Sequence, residues 1–425
     1  MESIVKFTQD HYEEFGYKTI ESLTTLVGPR PAGSKGDELA VNWAMKYMES
    51  LGFKNIHKQP VPYPKWTRGK NSLRIISPVT HDLVSVALGG TGKTSEKGVK
   101  APVIRFSNLK ELETATKEEV KGKIVYVNFA MSHKVPGHHY GAASMIRKKG
   151  PKMAYEKGAL GFIMRSAGTS SHRFAHTGST DRVDENFVAL SISIPDAEHL
   201  DRLYDHYGKT PIILELHSQN QWSKNDVNSY NVMGEIPGDG STSEMILLGA
   251  HLDSWDLGTG ALDDAAGVGI VIGCAKILSN FKLKRGIRIV LFANEENGLI
   301  GAHQYVKDNN LSNIYLGMES DSGVNKIIQM SFKGMDKQQN LVLKIQEVLN
   351  QYTVVKYDNK TFSPPPDLTP FVPKGVPILA LHQDASKYFN YHHTLDDTLD
   401  KIEKKDLLQN ILVYAISTYL ASWHE

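Results

Sequence analysis

The sequence predicts a layered α/β domain, with a central mixed, mostly parallel β-sheet flanked by helices, interrupted by an inserted β-rich lobe. Three observations carry this reading. From Glu244 onward, continuous apolar runs of strand length alternate with helical runs, the pattern of a sheet buried on both faces. Between residues 91 and 223 the runs are shorter and strand-like around one helix-like stretch, which sets that segment apart. The chain has 425 residues, 40% of them apolar and 22% charged, enough for two or three domains and a sizeable core.

The elements follow in order. The opening "MESIVKFTQDHYEEFGYKTIESL" is amphipathic and carries acids, without the basic region and apolar run of a signal peptide. The expectation is a cytosolic protein or one whose leader has been removed, and the acceptor triplets at Asn310 and Asn359 are compatible with secretion. "SKGDELAVNWAMKYMESLGF" reads as a helix with an acid-rich first turn and Gly52 as its stop. The prolines of "KQPVPYPKW" then force extended chain.

In the lobe, "APVIRF", "GKIVYVNFA", "GFIMRSA" and "TPIILELHS" read as strands, and "SMIRKKGPKMAYEKGA" as its helix. The organisation expected is therefore a discontinuous main domain, 1–90 and 224–425, with the lobe 91–223 inserted. In the main domain "EMILLGAH", "RGIRIVLFANEE", "IYLGMESD" and "VPILALHQD" read as strands. "AAGVGIVIGCAKILSN", "GLIGAHQYVKDNN", "QQNLVLKIQEVLNQY" and the terminal "KKDLLQNILVYAISTYLASW" read as helices.

Charge narrows the function. Lys plus Arg is 48 and Asp plus Glu 47, so no basic field favours nucleic acid or an anionic membrane, and no run reaches the roughly 18 apolar residues of a membrane span. The single cysteine, Cys274, allows no internal disulfide and sits in an apolar helix as a small hydrophobe. No phosphate-cradling glycine motif occurs. His138 and His139 of "GHHYG" read as polar loop residues of the lobe.

The remaining polar clusters fall just past strand ends. His251 follows "MILLGA", Glu295 and Glu296 follow "IRIVLFAN", Asp321 follows "IYLGMES", and "PILALHQD" leads to His392 and His393. In open α/β sheets the ligand crevice lies outside those carboxyl ends. So many carboxylates at one edge repel unless a cation sits among them, and mixed imidazole and carboxylate donors suit zinc. Two such ions carry about four positive charges, which three carboxylate ligands and one hydroxide balance. In "HLD", Asp253 lies on the same side of extended chain as His251 and is expected to reach its far ring nitrogen. Asp263 is expected to bridge the metals, with Asp264 capping or supporting.

In their order, "AHLDSWD", "ALDDAAG", "ANEENG", "ESDSG" and "HHTLDDT" resemble the co-catalytic di-zinc exopeptidases, the group of leucyl-type aminopeptidases and glutamate carboxypeptidases. "VGPRPAGSK" and "NSYNVMGEIPG" belong to the same resemblance, and "GKIVYVNF" with "AYEKGALGFIMRS" resembles a protease-associated domain. The resemblance implies a zinc exopeptidase fold with two zinc ions per chain. His251 and Asp321 would hold one, Glu296 and His393 the other, and Asp263 would bridge, with a cis peptide after it. His393 is preferred to His392 because "HTLDDT" fits the family pattern only from that position. Glu295 becomes the general base; Asp253, as the carboxylate expected behind His251, is counted with it among the catalytic residues, and His392 is a substrate-binding candidate by position alone.

The activity implied is hydrolysis of unsubstituted dipeptides through a metal-bridging hydroxide, as a dipeptidase or carboxypeptidase. A general aminopeptidase on longer peptides and a catalytically silent receptor-type relative are the alternatives. A homodimer and an extracellular or lysosomal location are also implied by resemblance.

Overall fold

The computed structural model describes residues 1–11, 13–132, 139–360 and 362–425. The chain divides into two compact units. The first comprises residues 1–63, 227–388 and 396–425, and the second residues 64–226 with the short segment Phe389–Leu395. The division falls at Pro64 and Asp226 rather than at Thr91 and Ser223. The strands Asn71–Ser77, His81–Leu83 and Ser85–Ala87 pair into the second unit's sheet and take the chain after Pro64 with them.

The first sheet has the strand order Lys54–Thr67, Gln221–Ile236, Gly286–Phe292, Met245–His251, Ile314–Glu319, Ile378–Gln383, Ile327–Lys333, Lys356–Tyr357. Its centre is parallel, and the antiparallel pairings lie on either side, against Gln221–Ile236 and Ile327–Lys333. Register aligns the strand ends. His251 pairs with Phe292, and Gly249 pairs with Glu319, so three strands end together at one edge. The helix Ala266–Leu278, buried at nearly every position, packs against Met245–His251 and against the terminal helix Lys404–Trp423. That burial on all sides matches its uniformly apolar sequence. Among the described residues, no helix is long and apolar enough to cross a membrane.

Local chemistry explains the ends of elements. Ser34 caps the helix Lys35–Ser50 by accepting the Asp37 N–H at 3.2 Å. Gly52, at φ 83°, stops it in a conformation glycine adopts without strain. Cys274 is fully buried, and burial pushes its thiol up to about 12, so it is the inert hydrophobe its surroundings suggested.

The second unit holds its own eight-stranded mixed sheet, with the four expected strands at Val99–Phe106, Ile124–Val127, Gly161–Arg165 and Ile213–Ser218. Its core lies on both faces. Leu73, Ile75, Ile124 and Leu214 gather on one, and Val125, Phe162 and Ile146 on the other. The expected helix spans Tyr140–Glu156, and a second long helix, Ile194–Tyr207, was not read from the sequence. Its signal was present. Ser193 caps it by accepting the Asp196 N–H at 3.2 Å, and Pro195 sits in its first turn. His139 directly precedes Tyr140–Glu156, while His138 lies outside the described residues.

Candidate active site

The shared strand edge of the first unit gathers the acids. His251 is the last residue of its strand and is fully buried. Its Nδ1–H donates to the main-chain carbonyl of Asp253 at 3.0 Å, whereas the Asp253 carboxylate lies 3.7 Å from that nitrogen. The expectation that the Asp253 side chain fixes the tautomer is thus corrected: the extended backbone brings the carbonyl closer, and the carbonyl does it. Oδ1 of Asp253 accepts the Glu295 N–H instead, at 3.1 Å, while its buried Oδ2 has no hydrogen-bond partner among the described residues.

With Nδ1 engaged, Nε2 of His251 faces two carboxylates, Asp263 Oδ1 at 3.0 Å and Asp321 Oδ1 at 3.6 Å. A neutral imidazole with its proton on Nδ1 would aim a lone pair at two anions there. Either a proton or a metal ion must occupy that edge. Burial disfavours the protonated ring, yet contacts with Asp253, Asp263 and Asp321 outweigh it and raise His251 well above its ordinary value. Glu296 joins His251 and Asp263 with ligand atoms all within 4.8 Å of one another, and Asp264 and Asp321 form a second such group with His251.

Asp264 has a supporting role within the second group. Its carboxylate accepts the N–H of Gly267 at 2.9 Å and of His251 at 3.2 Å, which ties the start of the helix to the strand end. A Cβ on Gly267 would lie 2.1 Å from the Ser320 carbonyl oxygen and 2.3 Å from Asp264 Oδ2, so only glycine fits. The peptide between Asp263 and Asp264 is cis, as the resemblance implied.

The electrostatics are those of an anion-crowded pocket. Burial pushes the Glu295 carboxyl well above the usual range, with Asp321, Glu296 and Asp263 adding to the shift and His251 opposing it. Burial also raises Asp264, again reinforced by Asp321 and Asp263. Restoring these groups to carboxylates requires positive charge among them. Donor types, spacing, burial and charge therefore all fit a divalent cation.

Sequence reasoning missed the groups that hold this edge from behind. Arg30 is fully buried and gives three strong hydrogen bonds to main-chain carbonyls: Nε to Leu252 at 2.6 Å, Nη1 to Thr259 at 2.6 Å and Nη2 to Gly260 at 2.9 Å. Asp397 accepts the N–H of Leu262 at 2.6 Å and of Asp263 at 3.2 Å. Together they fix both sides of the loop that presents Asp263. Glu319 accepts the N–H groups of Asp367 and Leu368 at 3.1 and 2.9 Å, and burial pushes it up to about 8.

His392 and His393 belong to the segment that clusters with the second unit. Their rings stack with centroids 3.5 Å apart, and Nδ1 of His393 lies 3.2 Å from the Thr177 carbonyl oxygen.

The profile of peptidase family M28 matches residues 231–416, a span that runs from before His251 to beyond His393. Carboxypeptidase Q of Rattus norvegicus is 31% identical over 417 residues, which cover 97% of this chain and 86% of the rat protein. The chain belongs to peptidase family M28. Like other members, this M28 peptidase is a metallo-exopeptidase. A crystal structure of a peptidase M28 precursor from Shewanella amazonensis superposes with a TM-score of 0.94 at 38% identity, covering 99% of this chain and 95% of that one. A zinc aminopeptidase from Bacillus subtilis, at 20% identity, shares the fold with a TM-score of 0.69 over 96% of this chain and 94% of its own.

Proposed function

We propose that this M28 peptidase hydrolyses unsubstituted dipeptides with two zinc ions per chain. The observation that carries the reading is the Nε2 edge of His251, aimed at Asp263 and Asp321 in a buried pocket with surplus carboxylates. The proposed ligands are His251 and Asp321 for one ion and Glu296 and His393 for the other, with Asp263 shared; His393 enters on the motif "HTLDDT". Bound there, zinc supplies Lewis acidity toward water and the scissile carbonyl.

Glu295 takes the water proton and returns it to the leaving amine. Its backbone N–H is anchored by the Asp253 carboxylate, which fixes the start of the Glu-Glu pair beside His251. His392, by its position beside His393, is proposed to touch substrate. For a two-residue substrate, removal of either end gives the same products, so carboxypeptidase and dipeptidase coincide. The relatives named carboxypeptidase Q support this reading. A homodimer and a protease-associated role for the second unit complete it.

The test is metal content and dipeptide hydrolysis on one sample, with and without chelator, beside the tripeptide extension of the same substrate. Two zinc ions per chain, chelator-sensitive dipeptide cleavage and loss of the tripeptide are expected. Equal cleavage of the tripeptide would replace the dipeptidase reading with a general aminopeptidase.

A further inference from the structure

The second unit grips the segment Phe389–Leu395 at the two histidines. His393 adopts φ 60°, a left-handed conformation that a histidine keeps only when its surroundings impose it. Its surroundings do so from one dipeptide. The Thr177 N–H donates to the His393 carbonyl at 2.9 Å, Nδ1–H of His393 donates to the Thr177 carbonyl at 3.2 Å, and Nδ1–H of His176 donates to the His392 carbonyl at 2.8 Å. Nη1 of Arg147 shares the Thr177 carbonyl at 3.3 Å, which explains its approach to His393 Nδ1 at 3.4 Å without requiring that nitrogen to be an acceptor.

The dipeptide is itself tied to the sheet. Thr177 Oγ1 donates to the Ala87 carbonyl and accepts from Arg68 Nη2, both at 3.0 Å. The His176 N–H donates to Ser166 Oγ at 2.9 Å, and that hydroxyl donates to the Ile192 carbonyl at 2.7 Å. A ring whose Nδ1–H is committed to a carbonyl presents Nε2 as its basic nitrogen, which is how metal-bound histidines are usually oriented.

We propose that His176 and Thr177 are positioning residues for metal binding, setting the tautomer and direction of His393. The inference rests on His393 being a ligand. His176 and Thr177 then act on metal retention only through the imidazole they hold.

Three variants test it by zinc retained against a graded competing chelator. His176→Phe keeps the ring's bulk and loses its donor, so the weaker-held zinc should leave at roughly 10–100-fold higher free zinc than in the parent. His176→Asn places an amide N–H near the position of Nδ1 and should restore retention, whereas a packing role would favour Phe over Asn. Thr177→Val, which removes the hydroxyl tether alone, should weaken retention in the same direction and carries the test if His176→Phe does not fold. His393→Ala separates the two readings. If it keeps both ions, the ligand assignment fails; if it loses one while His176→Phe and Thr177→Val match the parent, the positioning role is overturned.

Discussion

Oδ1 of Asp253 accepts the backbone N–H of Glu295 at 3.1 Å, while the carbonyl of the same aspartate takes Nδ1–H of His251 at 3.0 Å. One residue thus fixes both the imidazole and the start of the Glu-Glu pair. Asp253→Ala keeps the carbonyl and removes the acceptor for Glu295. The expected result is a loss of about 10–100-fold in kcat or metal affinity, the range seen when outer partners of metal sites are removed. Asp253→Asn retains an acceptor oxygen and should lose less. Steady-state kinetics with zinc analysis on both variants decides the matter; indistinguishable variants would remove the hydrogen bond from the account.

Glu295→Gln keeps shape and removes the capacity to take a proton. Its side chain is the one carboxylate of the cluster assigned to proton transfer, so zinc content should match the parent while turnover falls by about 10²–10⁴-fold. Loss of zinc in this variant would show that Glu295 holds metal instead.

Arg30 makes no proposed contact with substrate, yet its removal should be felt at the site. Arg30→Lys cannot reproduce a planar fork reaching the carbonyls of Leu252, Thr259 and Gly260. Leaving two of them buried without donors costs about 2–6 kcal/mol. The expected outcome is a melting temperature lower by several degrees in differential scanning calorimetry, with weaker zinc retention because the loop presenting Asp263 loses its support. An unchanged melting temperature would mean that water replaces the guanidinium at little cost.

How much of the fold and site was legible in the sequence depends on the range of the forces involved. The strand-end positions of His251, Glu295, Glu296 and Asp321 could be read because apolar runs mark buried parallel strands and each polar group falls just beyond one. Arg30 could not, since the three carbonyls it holds most closely lie more than 200 positions away, and a carbonyl leaves no mark in a sequence. Asp397 stood in a recognised motif, but its acceptor role toward the Asp263 N–H depends on a loop conformation that spacing does not specify. The role of Asp253 was placed on the wrong group for the same reason. Extended chain puts residues i and i+2 on one side, and only the backbone geometry decides whether carbonyl or carboxylate comes closer. The helix Ile194–Tyr207 was missed although Ser193 and Pro195 announced its start; it follows directly on the short buried strand Ala189–Ile192, and neither element was read from the sequence.

The raised carboxyls give the metal-free protein a defined pH response. Burial, with Asp263 adding, pushes Asp397 up to about 7, and burial, with Asp321 adding, pushes Glu319 up to about 8. An unfolded chain releases these protons near pH 4. Between pH 4 and 8 the folded state therefore binds more protons than the unfolded state, and stability falls as pH rises. This contribution is full below about pH 4 and is lost as pH passes through 7 and then 8. Melting temperatures of chelated protein should decline from pH 5 to 8.5, whereas zinc-loaded protein should be more stable at the upper end, because bound cations favour the carboxylates that repulsion otherwise opposes. Asp397→Asn, which is neutral at every pH, should flatten the part of the decline centred near pH 7. A flat profile in the chelated parent would show that these buried groups ionise at ordinary pH, and that the pocket carries its negative charge without help from a metal.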